Sequence, residues 1–222
     1  MDRRPLRLAH RGDWRRAPEN TLAAMLAAVA IPACDGLELD VRLSADGIPI
    51  LLHDPTLARI YHRPERPDQL SATELERLGV STLASVLAAI PPAMFLDVEM
   101  KGDTGGAVVE VLTAHRGVEL RDAVVSSFDD AALERVAGLA PTWPRWLNAR
   151  DLTPATIERA VSLGCVAIAA EWRAIDEASA ARVSHAGLGL AAWTVRRRST
   201  FDGLARLGVM AACVEAAALD GP

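Results

Sequence analysis

The sequence predicts an α/β protein whose eight parallel strands close into a (β/α)8 barrel, a TIM barrel. Apolar, strand-like segments alternate with Ala- and Leu-rich helical stretches along all 222 residues, and this alternation is typical of a parallel sheet. Eight such units favour closure of the sheet. An open, doubly wound sheet is the alternative, but no glycine-rich phosphate loop opens a helix. We therefore expect a single domain over residues 1–222.

The strands are predicted from short apolar runs, and the helices from the longer stretches between them. In chain order the predicted strands are 6–10, 36–41, 94–100, 123–128, 144–148, 165–169, 190–195 and 211–215. The predicted helices are 20–30, 83–89, 106–115, 129–137, 154–163, 176–186 and 199–207. Residues suited to cap helix N-termini stand just before the apolar-periodic run of four of the helices, namely Asn20, Asp129, Thr153 and Ser199. Three helices are expected to end at Gly164, Gly187 and Gly208.

One segment interrupts the alternation of strands and helices. Residues 44–47 form a turn signal, and a short extra strand is expected at 48–52. Residues 54–79 then run irregularly, with a helix expected at 72–78, and we interpret them as an excursion over the mouth of the barrel after the second strand. Because 222 residues are few for this fold, we expect the last helix to be reduced or absent.

Charged side chains occur where the predicted strands end. Side chains alternate faces along a strand, so Glu38 and Asp40 point the same way, and so do Glu99 and Lys101. Such charges are costly unless they meet a metal, a partner or an anionic ligand, and the active sites of these barrels lie at the carboxyl ends of the strands. The pattern predicts a divalent-metal site beside a phosphate site.

The predicted metal ligands are Glu38, Asp40 and Glu99, whose hard carboxylate oxygens suit one Mg²⁺ or Ca²⁺ ion. The alternative is a structural charge network, in which these carboxylates pair with cations. The candidate cations for such a network are Arg11, Arg42 and Lys101. Asp97 lies on the same face as Glu99 but deeper, and we interpret it as a group that orients the ligands.

Two histidines are the candidates for moving protons. His10 ends the first strand and His53 follows the extra strand; imidazole titrates near neutral pH, which suits general acid and base catalysis. The alternative is that both are buried structural histidines.

Four further residues are candidates for binding substrate. Arg11 and Lys101, the only lysine of the chain, form the predicted phosphate clamp. Ser127 offers a hydroxyl donor, unless it only packs. Trp193 offers a pocket wall, unless it is simply a buried aromatic residue. Trp14, Trp143, Trp146 and Trp172 are candidates for the mouth.

Composition limits the other classes of function. The formal net charge of −5 argues against non-specific nucleic-acid binding. The longest apolar stretch, residues 21–34, is too short for a membrane span, and residues 1–7 do not read as a signal peptide. The three cysteines have no close spacing for zinc and read as reduced, which predicts a cytoplasmic protein. The oligomeric state is left open.

The ordered motifs resemble the glycerophosphodiester phosphodiesterase family, which shares its catalytic half with bacterial phosphatidylinositol-specific phospholipases C. The motifs are His10-Arg11-Gly12, Pro18-Glu19-Asn20-Thr21, Glu38-Leu39-Asp40, Asp46-Gly47, His53-Asp54-Pro55, Glu99-Met100-Lys101, Ser126-Ser127-Phe128 and Trp193-Thr194-Val195. They span nearly the whole chain. Each motif is weak alone, but together they are specific.

The resemblance implies a TIM barrel that hydrolyses small-molecule glycerophosphodiesters to glycerol 3-phosphate and an alcohol. It also implies that His10 and His53 act as acid and base, that Arg11 and Lys101 contact the phosphate, and that Trp193 lines the glycerol end. The same resemblance implies that Glu38, Asp40 and Glu99 hold Mg²⁺ or Ca²⁺. Lysophospholipase D-like or cyclising activity, and a non-catalytic phosphodiester-binding barrel, are the alternatives.

The chain departs from the family's pattern near its C-terminus. Arg196 stands where the family usually has Asn, and Met210 and Glu215 stand in a segment where it usually has Asp. These changes leave the proposed metal and histidine positions intact but affect the substrate end of the pocket.

Overall fold

The computed structural model describes residues 4–221 and confirms the predicted (β/α)8 barrel. Residues 1–3 and 222, which the predicted domain and the expected N-terminus include, lie outside the described residues. The strands are β1 (Leu6–His10), β2 (Gly36–Leu43), β3 (Pro49–Leu51), β4 (Phe95–Met100), β5 (Ala123–Ser127), β6 (Arg145–Ala149), β7 (Ala167–Glu171), β8 (Gly189–Val195) and β9 (Ala211–Val214).

Eight of these strands form a closed parallel barrel. Their order is β1-β9-β8-β7-β6-β5-β4-β2, and β1 closes the ring by pairing with β2 as well. In that closure Leu8 lies opposite Gly36 on one side and opposite Cys213 on the other. The remaining strand, β3, is the predicted extra strand and pairs antiparallel with β2.

Helices follow the strands in the predicted order. They are α1 (Leu22–Val29), α2 (Ala58–Tyr61), α3 (Ala72–Arg77), α4 (Leu83–Ala89), α5 (Gly105–Arg116), α6 (Asp130–Leu139), α7 (Pro154–Ser162), α8 (Glu177–His185) and α9 (Arg198–Arg206). The longest, α5, has 12 residues, and within residues 4–221 no helix has the length and apolar character that crossing a membrane requires. Within the described residues, which end at 221, β9 is followed by a 3₁₀ turn at Ala216–Ala218, in agreement with the expectation of a reduced or absent last helix.

Two of the four predicted helix caps are wrong. Asp129 and Thr153 do cap α6 and α7, each accepting a hydrogen bond from a backbone N–H in the first turn. The cap of α1, however, is Thr21, whose Oγ1 accepts from the N–H of Ala24 at 3.2 Å. At α9 the capping position is held by Arg197, which makes no side-chain cap, and Ser199 already lies inside the helix.

Apolar residues fill two separate layers. The larger core lies between the strands and the surrounding helices. The lower part of the barrel interior is filled by small alanines, of which Ala167 and Ala191 are two, together with Leu8 and the indole of Trp146. Trp146 is only 3% exposed, and Trp143 donates its Nε1–H to the carbonyl of Val118 at 2.7 Å. These two tryptophans are therefore not at the mouth, contrary to the expectation.

The excursion after β2 has a small apolar core of its own. Ile50, Leu57, Leu75 and Val80 are buried against one another. Asp46 ties the turn before β3 to α3, because its Oδ1 accepts from the N–H of Ala72 at 2.9 Å. The segment carrying His53 is thus held by packing as well as by its chain connections.

Candidate active site

The carboxyl ends of the barrel strands surround a cavity of about 170 Å³. Its wall contains most of the predicted site residues. Those lining it are His10, Arg11, Glu38, His53, Glu99, Lys101 and Trp193, together with Asp97, Phe128, Asn148, Arg150, Ala169, Thr194 and Cys213. The sheet register explains this convergence, since His10 lies opposite Glu38 and Asp40 opposite Glu99 on neighbouring strands.

Three carboxylates meet beside this cavity. Glu38, Asp40 and Glu99 each offer one oxygen, and these oxygens lie within 4.8 Å of one another. Burial, reinforced by the neighbouring charges of Asp40 and Glu99, raises the pKa of Glu38 well above its usual value. Burial and Asp40 likewise raise the pKa of Glu99 to about 7. The cluster therefore holds more negative charge than its surroundings neutralise.

The donor set fits a hard divalent cation. Oδ1 of Asp40 is buried, and its neighbour within the described chain is the ammonium of Lys101 at 3.0 Å; a buried carboxylate is costly unless positive charge lies against it. It belongs to the group of three carboxylates that could share an ion, and carboxylate oxygens are the ligands that Mg²⁺ and Ca²⁺ prefer.

Two cations adjoin the carboxylates, so the charge network considered from the sequence is present in part. Nζ of Lys101 lies 3.0 Å from Asp40 Oδ1 and also pairs with Glu99. Nε of Arg11 lies 3.0 Å from Asp40 Oδ2. Burial opposes the ionisation of Asp40, but Lys101 and Arg11 outweigh it and lower its pKa.

Arg42, the third cation considered for that network, lies outside it. Its Nε and Nη2 donate to the carbonyl of His53 at 3.1 and 2.8 Å. Arg11 also shares its charge, because its Nη1 donates to Glu19 Oε1 at 2.9 Å. Two cations, Arg11 and Lys101, thus face three carboxylates, and Arg11 also pairs with a fourth acid, Glu19.

His10 is held by an acidic side chain from the neighbouring strand end. Its Nδ1–H donates to Oε1 of Glu215 at 2.5 Å, and Oε2 of Glu215 accepts from Nε of Arg196 at 2.7 Å. Because Nδ1 is occupied, Nε2 is the nitrogen available on the cavity side. Sequence reasoning treated Glu215 only as a departure from the family's pattern, although its place at the end of a predicted strand was a usable signal.

His53 has a comparable partner in the excursion. Its Nδ1–H donates to Oδ1 of Asp54 at 2.8 Å, and Oδ2 of Asp54 accepts from Nε of Arg59 at 2.6 Å. Burial lowers the pKa of His53, while the hydrogen bond from Arg59 lowers the pKa of Asp54 to about 2. Nη2 of Arg59 also donates to Glu19 at 2.6 Å, which connects this histidine to the loop that carries Arg11.

The loop after β1 places Arg11 in the site through an unusual backbone path. Arg11 has φ 60° and Gly12 has φ 82°; in this region of φ, glycine alone avoids strain. The N–H of Arg11 donates to the Glu38 carbonyl at 2.9 Å and approaches Glu38 Oε2 at 3.1 Å. A Cβ on Gly12 would lie 2.6 Å from the backbone of Ala24, so the close approach of α1 requires glycine.

Ser127 does not line this cavity, and its bonded hydroxyl favours the packing alternative over a role as a substrate ligand. Its hydroxyl donates to the carbonyl of Met100 at 2.9 Å and accepts from the N–H of Asp129 at 3.1 Å. The preceding residue, Ser126, is the one that points into the barrel, where its Oγ donates to Asp97 at 2.6 Å. The two adjacent serines therefore point to opposite faces of β5, and Ser126 is the one on the inner face.

Trp193 does line the cavity. Its ring packs edge to face against Phe128, with centroids 5.6 Å apart, and its Nε1–H donates to the carbonyl of Ala169 at 2.8 Å. Arg150, an exposed cation at the end of β6, also lines the cavity. Sequence reasoning did not select Arg150.

Asn20 forms hydrogen bonds with Asp40 at the site and does not cap α1. Its side-chain N–H donates to Asp40 Oδ2 at 2.8 Å, and its Oδ1 accepts from the backbone N–H of Asp40 at 3.1 Å. Asp97 remains deeper than the ligands, and burial raises its pKa to about 7. Its carboxylate accepts from Ser126 Oγ and lies 4.0 Å from Cys213 Sγ. It forms no hydrogen bond with Glu99, so its predicted orienting role gains no support.

Known proteins resemble this chain over nearly its whole length. The family model described as "Glycerophosphoryl diester phosphodiesterase family" matches residues 10–218. A glycerophosphodiester phosphodiesterase of Caldanaerobacter subterraneus is 29% identical over 152 residues, which are 60% of this chain and 62% of that protein. Glycerophosphodiester phosphodiesterase 1 of Bos taurus is 44% identical over 72 residues, 32% of this chain and 22% of that protein. These alignments span less than two thirds of either relative.

Solved structures extend the likeness to the fold. An Oleispira antarctica phosphodiesterase in complex with the product sn-glycerol-3-phosphate superposes with a TM-score of 0.84 at 29% identity, over 95% of this chain and 92% of that one. A glycerophosphodiester phosphodiesterase of Thermotoga maritima superposes with a TM-score of 0.85, over 99% and 97% of the two chains. Its identity is 21%, so this second likeness concerns the fold alone.

Proposed function

The chain belongs to the glycerophosphoryl diester phosphodiesterase family, and from this premise we propose that it hydrolyses glycerophosphodiesters to glycerol 3-phosphate and an alcohol. One observation carries the proposal: three buried carboxylates, two cations and two histidines with acidic partners surround a single cavity. Phosphodiester hydrolysis needs these groups together, because negative charge grows on the phosphoryl group while two protons move.

We propose that Glu38, Asp40 and Glu99 hold one divalent cation, Mg²⁺ or Ca²⁺. The convergence of three carboxylate oxygens within 4.8 Å and the raised pKa of Glu38 support this assignment, since a positive charge among the three acids relieves their mutual repulsion. When bound, such an ion would offset negative charge developing on the phosphoryl oxygens.

Arg11 and Lys101 bind the phosphoryl group in this proposal. The guanidinium of Arg11 can present two N–H groups to two phosphate oxygens, whereas the ammonium of Lys101 acts as a compact charge. Both lie against Asp40 and line the cavity. The two cations bring the substrate's phosphate next to the acidic cluster. They also place positive charge beside the phosphoryl oxygens, on which negative charge develops during the reaction.

His10 and His53 move the two protons. One Nε2 takes a proton from the water that attacks phosphorus, and the other Nε2 gives a proton to the alkoxide that leaves as its bond to phosphorus breaks. The carboxylates of Glu215 and Asp54 fix Nδ1 as the protonated nitrogen of each ring. Each histidine contributes roughly 10²–10⁴-fold to the rate.

The glycerol part of the substrate packs against Trp193 and Phe128, which form an apolar wall of the cavity. The sn-glycerol-3-phosphate bound by the Oleispira relative supports this choice of substrate class. A cytoplasmic location stays a prediction; the three cysteines, which are free and buried, are consistent with it.

Hydrolysis is tested on protein stripped with a chelator and then supplied with Mg²⁺ or Ca²⁺ and glycerophosphocholine. We expect metal-dependent release of glycerol 3-phosphate. His10→Ala and His53→Ala should each lower kcat by about 10²–10⁴-fold, while His185→Ala, a change at an exposed histidine on α8, should leave it unchanged.

The same assay separates the alternatives. Release of a cyclic glycerophosphate would indicate the cyclising route, and turnover confined to lysophospholipids would indicate a lysophospholipase D-like enzyme. If wild type and both cavity variants hydrolyse a panel of diesters equally poorly while still binding them, the protein is a binding barrel and the proposal is wrong.

A further inference from the structure

A second cavity adjoins the catalytic one at the mouth of the barrel. It measures about 330 Å³ and is lined by Trp172, Arg173, Thr194, Arg196, Arg197 and Thr200; we call it the arginine groove. Thr194 lines both cavities, so the two adjoin at this one residue. Its arginines follow the carboxyl ends of β7 and β8, the edge of the barrel where the catalytic residues lie.

The groove carries more positive charge than its acidic neighbours neutralise. Arg196 pairs with the buried Glu215, and Arg173 pairs with Glu171 at 3.1 Å. Arg197 is exposed and forms no ion pair within residues 4–221. Arg150, on the catalytic side of Thr194, is likewise exposed and unpaired within the part of the chain that the structure describes. This local excess contrasts with the net charge of −5 for the chain.

The guanidinium groups are also positioned for recognition of an anion. That of Arg173 stacks over the indole of Trp172 at 4.6 Å from the ring centroid, which restricts its motion; within the described residues only its Nη1 is engaged, by Glu171. Arginine is the residue best suited to planar, two-point binding of phosphate and carboxylate. Two of the groove's arginines are in ion pairs, and the third, Arg197, is unpaired within residues 4–221. This set favours an anionic ligand over a neutral or cationic one.

The catalytic cavity is too small for a whole diester with a large alcohol group. Its volume of about 170 Å³ lies below the ~300–1,000 Å³ of common ligand pockets. The part of a substrate beyond the glycerophosphoryl unit must therefore extend out of the mouth, where the arginine groove begins.

We propose that the arginine groove binds a second anionic group of the substrate, a phosphate or carboxylate on its alcohol part. The inference rests on the proposed function, because it places the first phosphate in the catalytic cavity. It assigns the chain a preference for glycerophosphodiesters with an anionic alcohol over those with a neutral or cationic one such as choline.

The test compares two diesters that differ only in the second anion: glycerophosphoglycerol, and the same molecule with a phosphate on the terminal hydroxyl of its second glycerol. We expect wild type to bind the phosphorylated diester roughly 10-fold more tightly by calorimetry in chelator, where no turnover occurs. The ratio should shrink towards one in high salt, because the groove is open to solvent.

A double variant isolates the groove. Arg173→Gln with Arg197→Gln should abolish the ratio while leaving the affinity for glycerophosphoglycerol unchanged, since neither side chain lines the catalytic cavity. Arg77→Gln with Arg121→Gln removes the same charge from exposed positions outside the groove and should keep the ratio. Equal binding of the two diesters by wild type would overturn the proposal, and so would a ratio unaffected by the groove variant.

A free anion such as inorganic phosphate is the other ligand that the arginines of the groove could bind. If the groove variant loses affinity for inorganic phosphate but keeps the wild-type ratio for the two diesters, the groove binds free anions and the proposal is wrong. Failure of the proposed function is distinguishable, because it would leave the binding ratio in place while glycerol 3-phosphate release with added metal is absent.

Discussion

Two residues at which the chain departs from its family's pattern contact each other. Arg196 donates to Glu215, and Glu215 accepts from His10. Glu215 is 6% exposed; burial opposes its ionisation, but the hydrogen bonds and charges of His10 and Arg196 together outweigh burial and lower its pKa. A negative charge therefore lies behind His10 and fixes the direction of its Nε2, so Glu215 acts as a positioning residue in the proposed mechanism.

Replacing Glu215 tests that role. Glu215→Gln removes the charge at constant shape, and we expect kcat for a glycerophosphodiester to fall by roughly 10²-fold with little change in KM. Glu215→Asp keeps the charge and should recover part of the loss. Arg196→Ala is the control for the outer partner; its side chain is 66% exposed, so only a few-fold effect is expected. An unchanged kcat in Glu215→Gln would show that Glu215 only supports the fold.

The acidic cluster makes a prediction about stability that does not depend on turnover. Mg²⁺ or Ca²⁺ at about 100 times its Kd should raise the free energy of unfolding of wild type by about 2.7 kcal/mol, seen as a higher Tm. Glu38→Gln should lose this response. In chelator the variant should be at least as stable as wild type, because it removes one of three crowded, buried carboxyl groups.

A matched control accompanies that measurement. Glu76→Gln changes an exposed glutamate on α3 and should respond to metal as wild type does. If the metal response of Glu38→Gln equals that of the control, the ion binds elsewhere and the metal assignment is wrong.

The site was predictable from the sequence where a strand carries the residue. Strand parity brought Glu38, Asp40, Glu99 and Lys101 together as the structure has them. For Ser127 the position at a strand end left open whether its hydroxyl binds substrate or packs, and in the structure that hydroxyl is bonded to the backbone. Strand parity could not find the contact between Asn20 and Asp40, since a loop residue's reach depends on a backbone path that periodicity does not describe.

At the scale of elements, the loop between β1 and α1 depends most on one residue. Arg11 must turn from the strand into the site while α1 passes close behind it, and Gly12 permits both. Replacement of Gly12 by alanine adds a left-handed backbone penalty to a clash with the backbone of Ala24. No side-chain rotation can relieve the clash, because the two atoms nearest to the added Cβ are the carbonyl carbon and oxygen of Ala24, in the main chain of α1.

We expect Gly12→Ala to lower the free energy of unfolding by about 2–4 kcal/mol, measured by urea denaturation. Gly47→Ala is a matched control, since Gly47 has a similar φ of 77° but its added Cβ would meet nothing within 4 Å. It should cost about 1 kcal/mol, from the backbone alone. Equal costs for the two variants would show that the approach of α1 is adjustable.

The positions of the helices and strands could be predicted from the periodicity of apolar residues, but the first residues of some helices could not. The helix at Leu83–Ala89 was predicted with its observed bounds, and Thr153 with Pro154 gave the correct start of α7. At α1 and α9 a good capping residue stands one or two positions from the observed cap. At α1, the capping preference of Asn20 could not locate the start of the helix, because the Asn20 side chain bonds to Asp40 instead.

At the scale of the whole molecule, the barrel interior is divided along its axis. Carboxylates, cations and histidines occupy the mouth, while alanines, Leu8 and Trp146 fill the lower part. The sequence predicted that eight strands would close, because their number and spacing are local properties. It could not predict that Trp146 fills the interior and Trp14 faces solvent, since that depends on which facing positions carry small side chains.

Trp146 is the largest side chain in that lower layer. It is 3% exposed and stacks on Phe95 with ring centroids 6.1 Å apart, while the alanines around it cannot expand to fill its volume. Trp146→Ala should therefore leave a cavity and lower the free energy of unfolding by about 3–5 kcal/mol in urea denaturation. Trp14→Ala is the matched control, because Trp14 is 46% exposed and its loss should cost under about 1 kcal/mol. The floor of the active site rests on this layer, so Trp146→Ala should also reduce kcat, whereas a folded variant with wild-type stability would show that the indole does not fill the barrel.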